Sequence, residues 1–231
     1  MERRDFIKLC AAGAAAAGAP ALAADARPQL YTRTLLLDDK GAPLRASQVP
    51  VERNLIFHYP FAGTPCFLLN LGRPAKATAL LKTEDNRPYE WNGGVGPWRS
   101  IVAYSAICAH KLTYPTRDIS FISYRVEKSA RNRIGHVIHC CSEHSQYDPA
   151  EGGRVVAGPA PQPLASILVE WDSAKDELHA VGTLGGEMFN EFFEKYAFKL
   201  GLEHGAAAHQ AVGTATRVEE LESYCKQQVK C

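Results

Sequence analysis

Hydrophobic residues along this chain fall mostly in short runs rich in Leu, Ile, Val, Thr and aromatic residues, separated by Gly, Pro, Asn and Asp. Runs of that length and composition predict strands, and the residues between them predict turns. Residues 29–37 carry Leu, Tyr and Thr and form a first expected strand. Asp38-Asp39-Lys40-Gly41 is the turn after it. Further strands are expected over 54–59, 66–71, 77–81, 101–106, 119–126 and 134–141. A long polar, Gly- and Pro-rich loop is expected over 84–97. Residues 166–171 and 177–181 flank Asp172-Ser173-Ala174-Lys175 and predict a closing hairpin. Many short strands separated by turn signals predict an all-β, antiparallel fold.

One segment changes period. Met188, Phe189, Phe192, Phe193, Tyr196, Ala197 and Leu200 recur at helical spacing, which predicts an amphipathic helix over 187–200 with Gly201 as its stop. Its aromatic stripe is expected to pack on the β domain rather than to bind a cofactor. Residues 202–216, rich in Ala, Gly and His, predict a loose stretch, and 217–229 a last short helix. The organisation expected is therefore a leader over 1–24, a β domain over 25–185 and a helical extension over 186–231.

The leader has its own pattern. Arg3-Arg4-Asp5-Phe6-Ile7-Lys8 resembles a twin-arginine export signal, followed by a mildly apolar Ala/Gly stretch and by Ala21-Leu22-Ala23, a small-x-small cleavage pattern. Export to the periplasm is expected, with membrane association if the segment is retained. The chain has 231 residues, a formal net charge of +1, 46% hydrophobic and 22% charged residues. That balance implies no general attraction to nucleic acid. No stretch reaches the roughly 20 strongly apolar residues of a firm transmembrane helix. The seven Cys (10, 66, 108, 140, 141, 225 and 231) are odd in number and scattered, unlike a disulfide scaffold.

The candidate chemistry lies in two short stretches. Cys108-Ala109-His110 and Cys141-Ser142-Glu143-His144 each offer one thiolate and one imidazole at close spacing, so four side chains can converge on one metal centre. A Gly158-Pro159-Ala160-Pro161 loop follows. Cys140 adjoins Cys141, and adjacent side chains of a strand point to opposite faces, so Cys140 is expected to be a buried bystander. A shifted pairing, Cys140-x3-His144, is the minor alternative. Cys66 is expected in the core. Cys225 and Cys231 are expected to pair with each other, to pair across subunits, or to stay free in a frayed tail. His136 and His139 are expected in solvent or core.

C-x-H, C-x-x-H and Gly-Pro-Ala-Pro in that order resemble the Rieske family of 2Fe–2S proteins. The resemblance covers residues 98–182 well and implies a Rieske-type antiparallel β-sandwich with a cluster-binding subdomain. It implies one 2Fe–2S cluster, with Cys108 and Cys141 on the inner iron and His110 and His144 on the outer one. Tyr147 takes the place of a Tyr that hydrogen-bonds a ligand sulfur, and Gly158 and Pro159 begin the loop that covers the cluster. Two further Cys that tie the cluster loops together in respiratory relatives are Thr113 and Glu143 here, so that disulfide is expected to be absent. The stretch from His144 to Tyr147 is one residue shorter than usual, which leaves the family's sulfur-bonding Ser unassigned and predicts a reduction potential below that of respiratory relatives. The function implied is periplasmic electron transfer, proton-coupled at the His ligands, as a subunit of an oxidoreductase rather than a complete enzyme. The implied partner is a cytochrome c, a cytochrome b-type quinol-oxidising subunit or a molybdenum subunit, with quinol as a donor in the second case. The alternative is a structural zinc site or a cluster-free partner-binding module.

Overall fold

The computed structural model describes residues 26–129 and 133–231. The twin-arginine segment, its cleavage pattern and Cys10 lie outside the described residues. In chain order the elements are β1 (Gln29–Leu37), β2 (Leu55–His58), β3 (Pro65–Asn70), β4 (Ala79–Lys82), β5 (Pro88–Trp91) and β6 (Ile101–Ser105). Then follow β7 (Ile119–Ser120), β8 (Ile122–Arg125), β9 (Val137–Cys140), β10 (Ser145–Asp148) and β11 (Arg154–Ala157). The chain continues through β12 (Ser166–Asp172), β13 (Glu177–Leu184), helix α1 (Phe189–His204), β14 (Ala215–Arg217), β15 (Glu219–Glu220), helix α2 (Leu221–Tyr224) and β16 (Gln227–Gln228).

An eight-stranded sheet in the order β14-β1-β13-β12-β6-β3-β2-β15 forms the body. Its pairs are antiparallel except for β1 with β14. β14 and β15 lie on opposite edges although only Val218 separates them in the chain. The sheet therefore curls until its two edges meet. Alternation along the strands gives it two apolar faces. Leu55, Phe57, Cys66, Leu68, Ile101 and Ala103 point into the rolled body. Their neighbours Ile56, Phe67, Leu69, Val102 and Tyr104 point the other way. The outer set packs against a four-stranded antiparallel sheet in the order β11-β10-β9-β8.

The expected all-β, antiparallel class is what the chain adopts, and most strands fall where the apolar runs predict. The differences have physical causes. The Gly/Pro-rich stretch after residue 84 contains β5, whose Tyr89 and Trp91 are buried and which pairs with β4 as a hairpin. β10 (Ser-Gln-Tyr-Asp) is short and polar, and β11 (Arg-Val-Val-Ala) is a run of only four; pairing with neighbouring strands holds both. α1 runs through Gly201, where an added Cβ would meet nothing within 4 Å, and ends before Gly205. A solvent-facing Gly costs a helix only about 1 kcal/mol, too little to stop it against its packed stripe. The tail is not loose. Beyond His204 it contributes β14, β15 and β16, and α2 is a single turn.

α1 buries Phe189, Phe192, Phe193 and Leu200 against Ile107, Leu112 and Tyr114, the segment that carries the first candidate motif. Tyr114 meets Phe192 and Tyr196 edge-on, each at 4.9 Å between ring centres. Phe192→Ala is expected to destabilise the fold by about 3–5 kcal/mol, because Phe192 is fully buried and the cavity cannot collapse between a helix and a loop. Urea unfolding at neutral pH checks this; a loss under 1 kcal/mol would mean the helix is not held by this contact.

Candidate metal centre

The second motif is the turn of a hairpin. β9 and β10 pair Cys140 with Ser145, His139 with Gln146 and Ile138 with Tyr147. Residues 141–144 are the loop between them, and His144 closes it with a left-handed backbone, φ +59°. Directly opposed residues share a face, and side chains alternate every second residue. Ile138, Cys140, Ser145 and Tyr147 therefore project on one face, and His139 and Gln146 on the other.

The first motif meets the face of Cys140 and Tyr147. After β6 the chain turns back on itself at residues 108–113. The Cys108 N–H donates to the Thr113 carbonyl at 2.8 Å and the Leu112 N–H to the Cys108 carbonyl at 2.9 Å. Leu112 is left-handed too, φ +59°. The Lys195 ammonium of α1 donates to the Lys111 carbonyl at 2.7 Å and ties the helix to this loop. Tyr147 joins the two motifs. The Ala109 N–H donates to its hydroxyl oxygen at 3.1 Å, and that oxygen lies 3.2 Å from the Cys108 sulfur. Since the oxygen already accepts from Ala109, its proton is free to bond the sulfur. Burial first, and then the charge on Cys108, push the Tyr147 phenol far above its ordinary value, so it remains a donor.

The two thiols in contact are those of Cys108 and Cys140. A hydrogen bond from Cys140 draws the Cys108 thiol down to about 6 against burial, helped by the Tyr147 hydroxyl and by the backbone N–H groups of His110 and Lys111. The Cys140 thiol is pushed up, first by its bond to Cys108, then by burial and by the charge on Cys108. The backbone N–H groups of Ser142 and Glu143 point at it and oppose that rise. Both side chains are fully buried. Two buried sulfurs in contact share one negative charge comfortably and two only beside a cation.

The imidazoles stand at the rim. His110 and His144 are half-buried, whereas Lys111, Ser142 and Glu143 around them are exposed. The His110 Nδ1 is buried and has no hydrogen-bond partner, which leaves its lone pair available as a metal ligand. The Ser145 hydroxyl oxygen is buried and unpartnered in the same way, on the face of Cys140. Gly158 has φ +85°, and a Cβ there would sit 2.5 Å from both the His144 carbonyl oxygen and the Ser145 Cα. Gly158 thus lets the chain leading into Pro159, Ala160 and Pro161 lie directly on the second motif.

Cys141 departs from expectation. Its sulfur is bonded to that of Cys231, so it offers no thiolate; this disulfide was not expected, and it is a different bridge from the loop-to-loop one of respiratory relatives. The bridge runs from the second loop to the chain's last residue and leaves the two cluster loops unlinked. Alternation is the reason. Cys140 takes the inner face, and Cys141 follows His139 to the outer one, where the tail lies. The Cys231 sulfur is also 3.5 Å from His139 Nε2. His139 is fully buried, and burial pulls its imidazole down to about 4, with the His144 and Arg125 charges adding to the shift. Cys66 is buried in the core as expected, and Cys225 is buried and unpaired. The structure thus brings together Cys108, Cys140 and Tyr147, sets His110 and His144 at the rim beside them, and takes Cys141 away. Sequence reasoning ranked Cys140 as the minor alternative, left Ser145 without a role and gave Cys231 other partners. Counting from Tyr147 in steps of two reaches Ser145, and its opposed residue across the hairpin is Cys140.

No family model matches this chain. Among solved structures it is similar to the soluble domain of the Rieske protein II (soxF) from Sulfolobus acidocaldarius, at 25% sequence identity over 68% of this chain and 82% of that one, with a TM-score of 0.46.

Proposed function

We propose that this chain holds one Rieske-type 2Fe–2S cluster and passes single electrons between partner proteins. The observation that carries the reading is the pair of buried, touching thiols of Cys108 and Cys140, with two imidazoles at the rim and a proline-rich loop lying over the second of them. The ligand set proposed is Cys108 and Cys140 on the inner iron, His110 and His144 on the outer one. Cys140 replaces Cys141 in the set expected from sequence. When bound, such a cluster takes up one electron and gives it on, at a higher potential than an all-Cys cluster because imidazole brings no negative charge.

The chain's own groups serve that chemistry. Backbone N–H groups of His110, Lys111, Ser142 and Glu143 face the sulfurs and stabilise the added negative charge of the reduced state. The Tyr147 hydroxyl does the same at Cys108. The buried Ser145 hydroxyl, which has no hydrogen-bond partner and stands on the face of Cys140, is available as a further donor to the cluster. His110 and His144 are partly exposed, so a partner's redox group can approach them closely. A zinc site is disfavoured by distance. Among the described residues, the ligand atoms that come within 4.8 Å of one another as a group are those of His139, Cys141 and Cys231, not of this set. One tetrahedral zinc, with bonds of about 2.0–2.3 Å, needs all its ligands closer than that.

The site of action proposed is the periplasm, reached by the twin-arginine route. The signal pattern supports it, and so does a disulfide, which persists in an oxidising compartment. The half-exposed imidazole edge suits electron exchange with a redox partner such as a cytochrome c, a quinol-oxidising cytochrome b subunit or a molybdenum subunit. The chain then serves as an electron-transfer subunit.

Purified protein is expected to contain about two irons and two acid-labile sulfides per chain and, after dithionite, to give a rhombic EPR signal of low average g. Zinc in their place, or a colourless and EPR-silent protein, would sink the reading. Tyr147→Phe is expected to keep the cluster and lower its midpoint potential, since it removes a donor that favours the reduced state; an unchanged redox titration would deny Tyr147 that role. Gly158→Ala is expected to lower iron content, because its Cβ can be accommodated only by moving His144 and Ser145; full iron occupancy in this variant would show that the second loop yields without cost.

A further inference from the structure

The vicinal pair Cys140-Cys141 poses a choice that the metal alone does not make. Consecutive Cα atoms are about 3.8 Å apart. If the β9–β10 pairing slipped by one residue, Cys141 would take the inward face that Cys140 holds. Cys141-x2-His144 and Cys140-x3-His144 are then two competing ligand registers for one centre. The hairpin pairing favours Cys140, but the turn is short and its His144 already sits in a left-handed backbone.

The tail resolves the competition. β16 runs parallel to β7, with Gln227 beside Ile119 and Gln228 beside Ser120. The Val229 N–H donates to the Ser120 carbonyl at 2.8 Å, and the Val229 carbonyl accepts from the Arg125 guanidinium. The Ser129 hydroxyl donates to the Cys231 carbonyl at 2.7 Å. These bonds deliver Cys231 to the outer face of β9, against His139 and bonded to Cys141.

Resting on the cluster reading above, we propose that Cys231 is a positioning residue that selects the cluster's ligand register: by bonding Cys141 on the outer face of the hairpin it withdraws the competing thiol and leaves Cys140 as the inner ligand. Bond formation is thiol–disulfide exchange with an external disulfide. The Cys141 and Cys231 thiols lose two electrons and two protons, one sulfur–sulfur bond forms between them, and the incoming disulfide is cleaved and leaves as a dithiol.

The test compares purified wild type, C140S, C231S and the double variant C140S/C231S by iron and sulfide per chain and by EPR of the reduced protein. C140S is expected to lose iron at least about tenfold, the low end of what loss of even an outer-shell partner costs a metal site. C140S/C231S is expected to regain iron severalfold over C140S, because Cys141 is then free to serve. C231S alone is expected to show two overlapping EPR species where wild type shows one, a readout that plain loss of stability would not produce. A double variant as empty as C140S, with near-ultraviolet circular dichroism showing it folded, would overturn the proposal. So would a C231S spectrum identical to wild type, or full iron in C140S. Wild type lacking iron and sulfide would instead overturn the cluster reading. Peptide mapping without reductant, which is independent of metal, would then still report whether Cys141 and Cys231 are joined.

Discussion

The period of two along β9 and β10 is the constraint from which the candidate centre follows. A strand cannot turn adjacent side chains to the same face. Once Tyr147 reaches the Cys108 sulfur, Ser145 must lie on the same face, and the residue opposite Ser145 must join it. That residue is Cys140. The same rule sends His139 and Cys141 outward. No metal needs to be invoked to place the two inner thiols together; strand pairing does it. What pairing cannot do is satisfy them. Two sulfurs in contact, fully buried and ringed by backbone N–H groups, form a site built for more negative charge than two neutral thiols carry.

The scaffold around this hairpin is stiff where the centre needs it to be. The face of the rolled sheet that carries Phe67, Leu69 and Tyr104 backs the four-stranded sheet, and the Tyr104 hydroxyl donates to the Pro149 carbonyl just beyond β10 at 2.7 Å. α1 seals the first loop from the side through Tyr114, Phe192 and Tyr196. Its backbone leaves helical geometry at Tyr196, with φ −110° and ψ 17°. The kink lies within the buried aromatic stripe, next to Tyr114.

Most of the fold was legible in the sequence because apolar runs bounded by turn residues are a strong local signal. β2, β3, β6, β12 and β13 lie within two residues of their expected bounds at every end except the end of β13, which runs three residues beyond expectation. β14 and β16 were not legible, since they are runs of two or three residues that become strands only through neighbours distant in sequence; β10 is polar and β11 only four residues long, and adjacent strands hold both. The centre was half legible. Cys108, His110, His144, Tyr147 and Gly158 could be named from spacing. Cys141 was preferred to Cys140 because C-x-x-H fitted the resemblance; the structure puts Cys140 on the face of Tyr147 and bonds Cys141 to Cys231. One observation held the correction. The stretch from His144 to Tyr147 is a residue short, and that from Cys140 to His144 is a residue longer than C-x-x-H. The two offsets cancel, so the distance from the inner Cys to the Tyr is preserved only if that Cys is Cys140.

The tail is structured by the bonds it makes along β7 and to Cys141. A hairpin that keeps its strand length but moves a residue from one side of His144 to the other leaves an extra thiol just outside the strand. In a chain without β16, that thiol and the His139 imidazole would face solvent on the back of the small sheet. Here the tail first closes the rolled sheet with β14 and β15, then turns through α2 and runs along β7 to the back of β9. His139 becomes fully buried, and the spare thiol is consumed in a bond. In a chain-entropy description, a bridge closing a loop of 90 residues restricts the unfolded chain by on the order of 4 kcal/mol. That is a large share of the 5–15 kcal/mol or so that holds a typical domain together. Through this one bond Cys231 bears on stability and fixes which face of the hairpin Cys141 occupies.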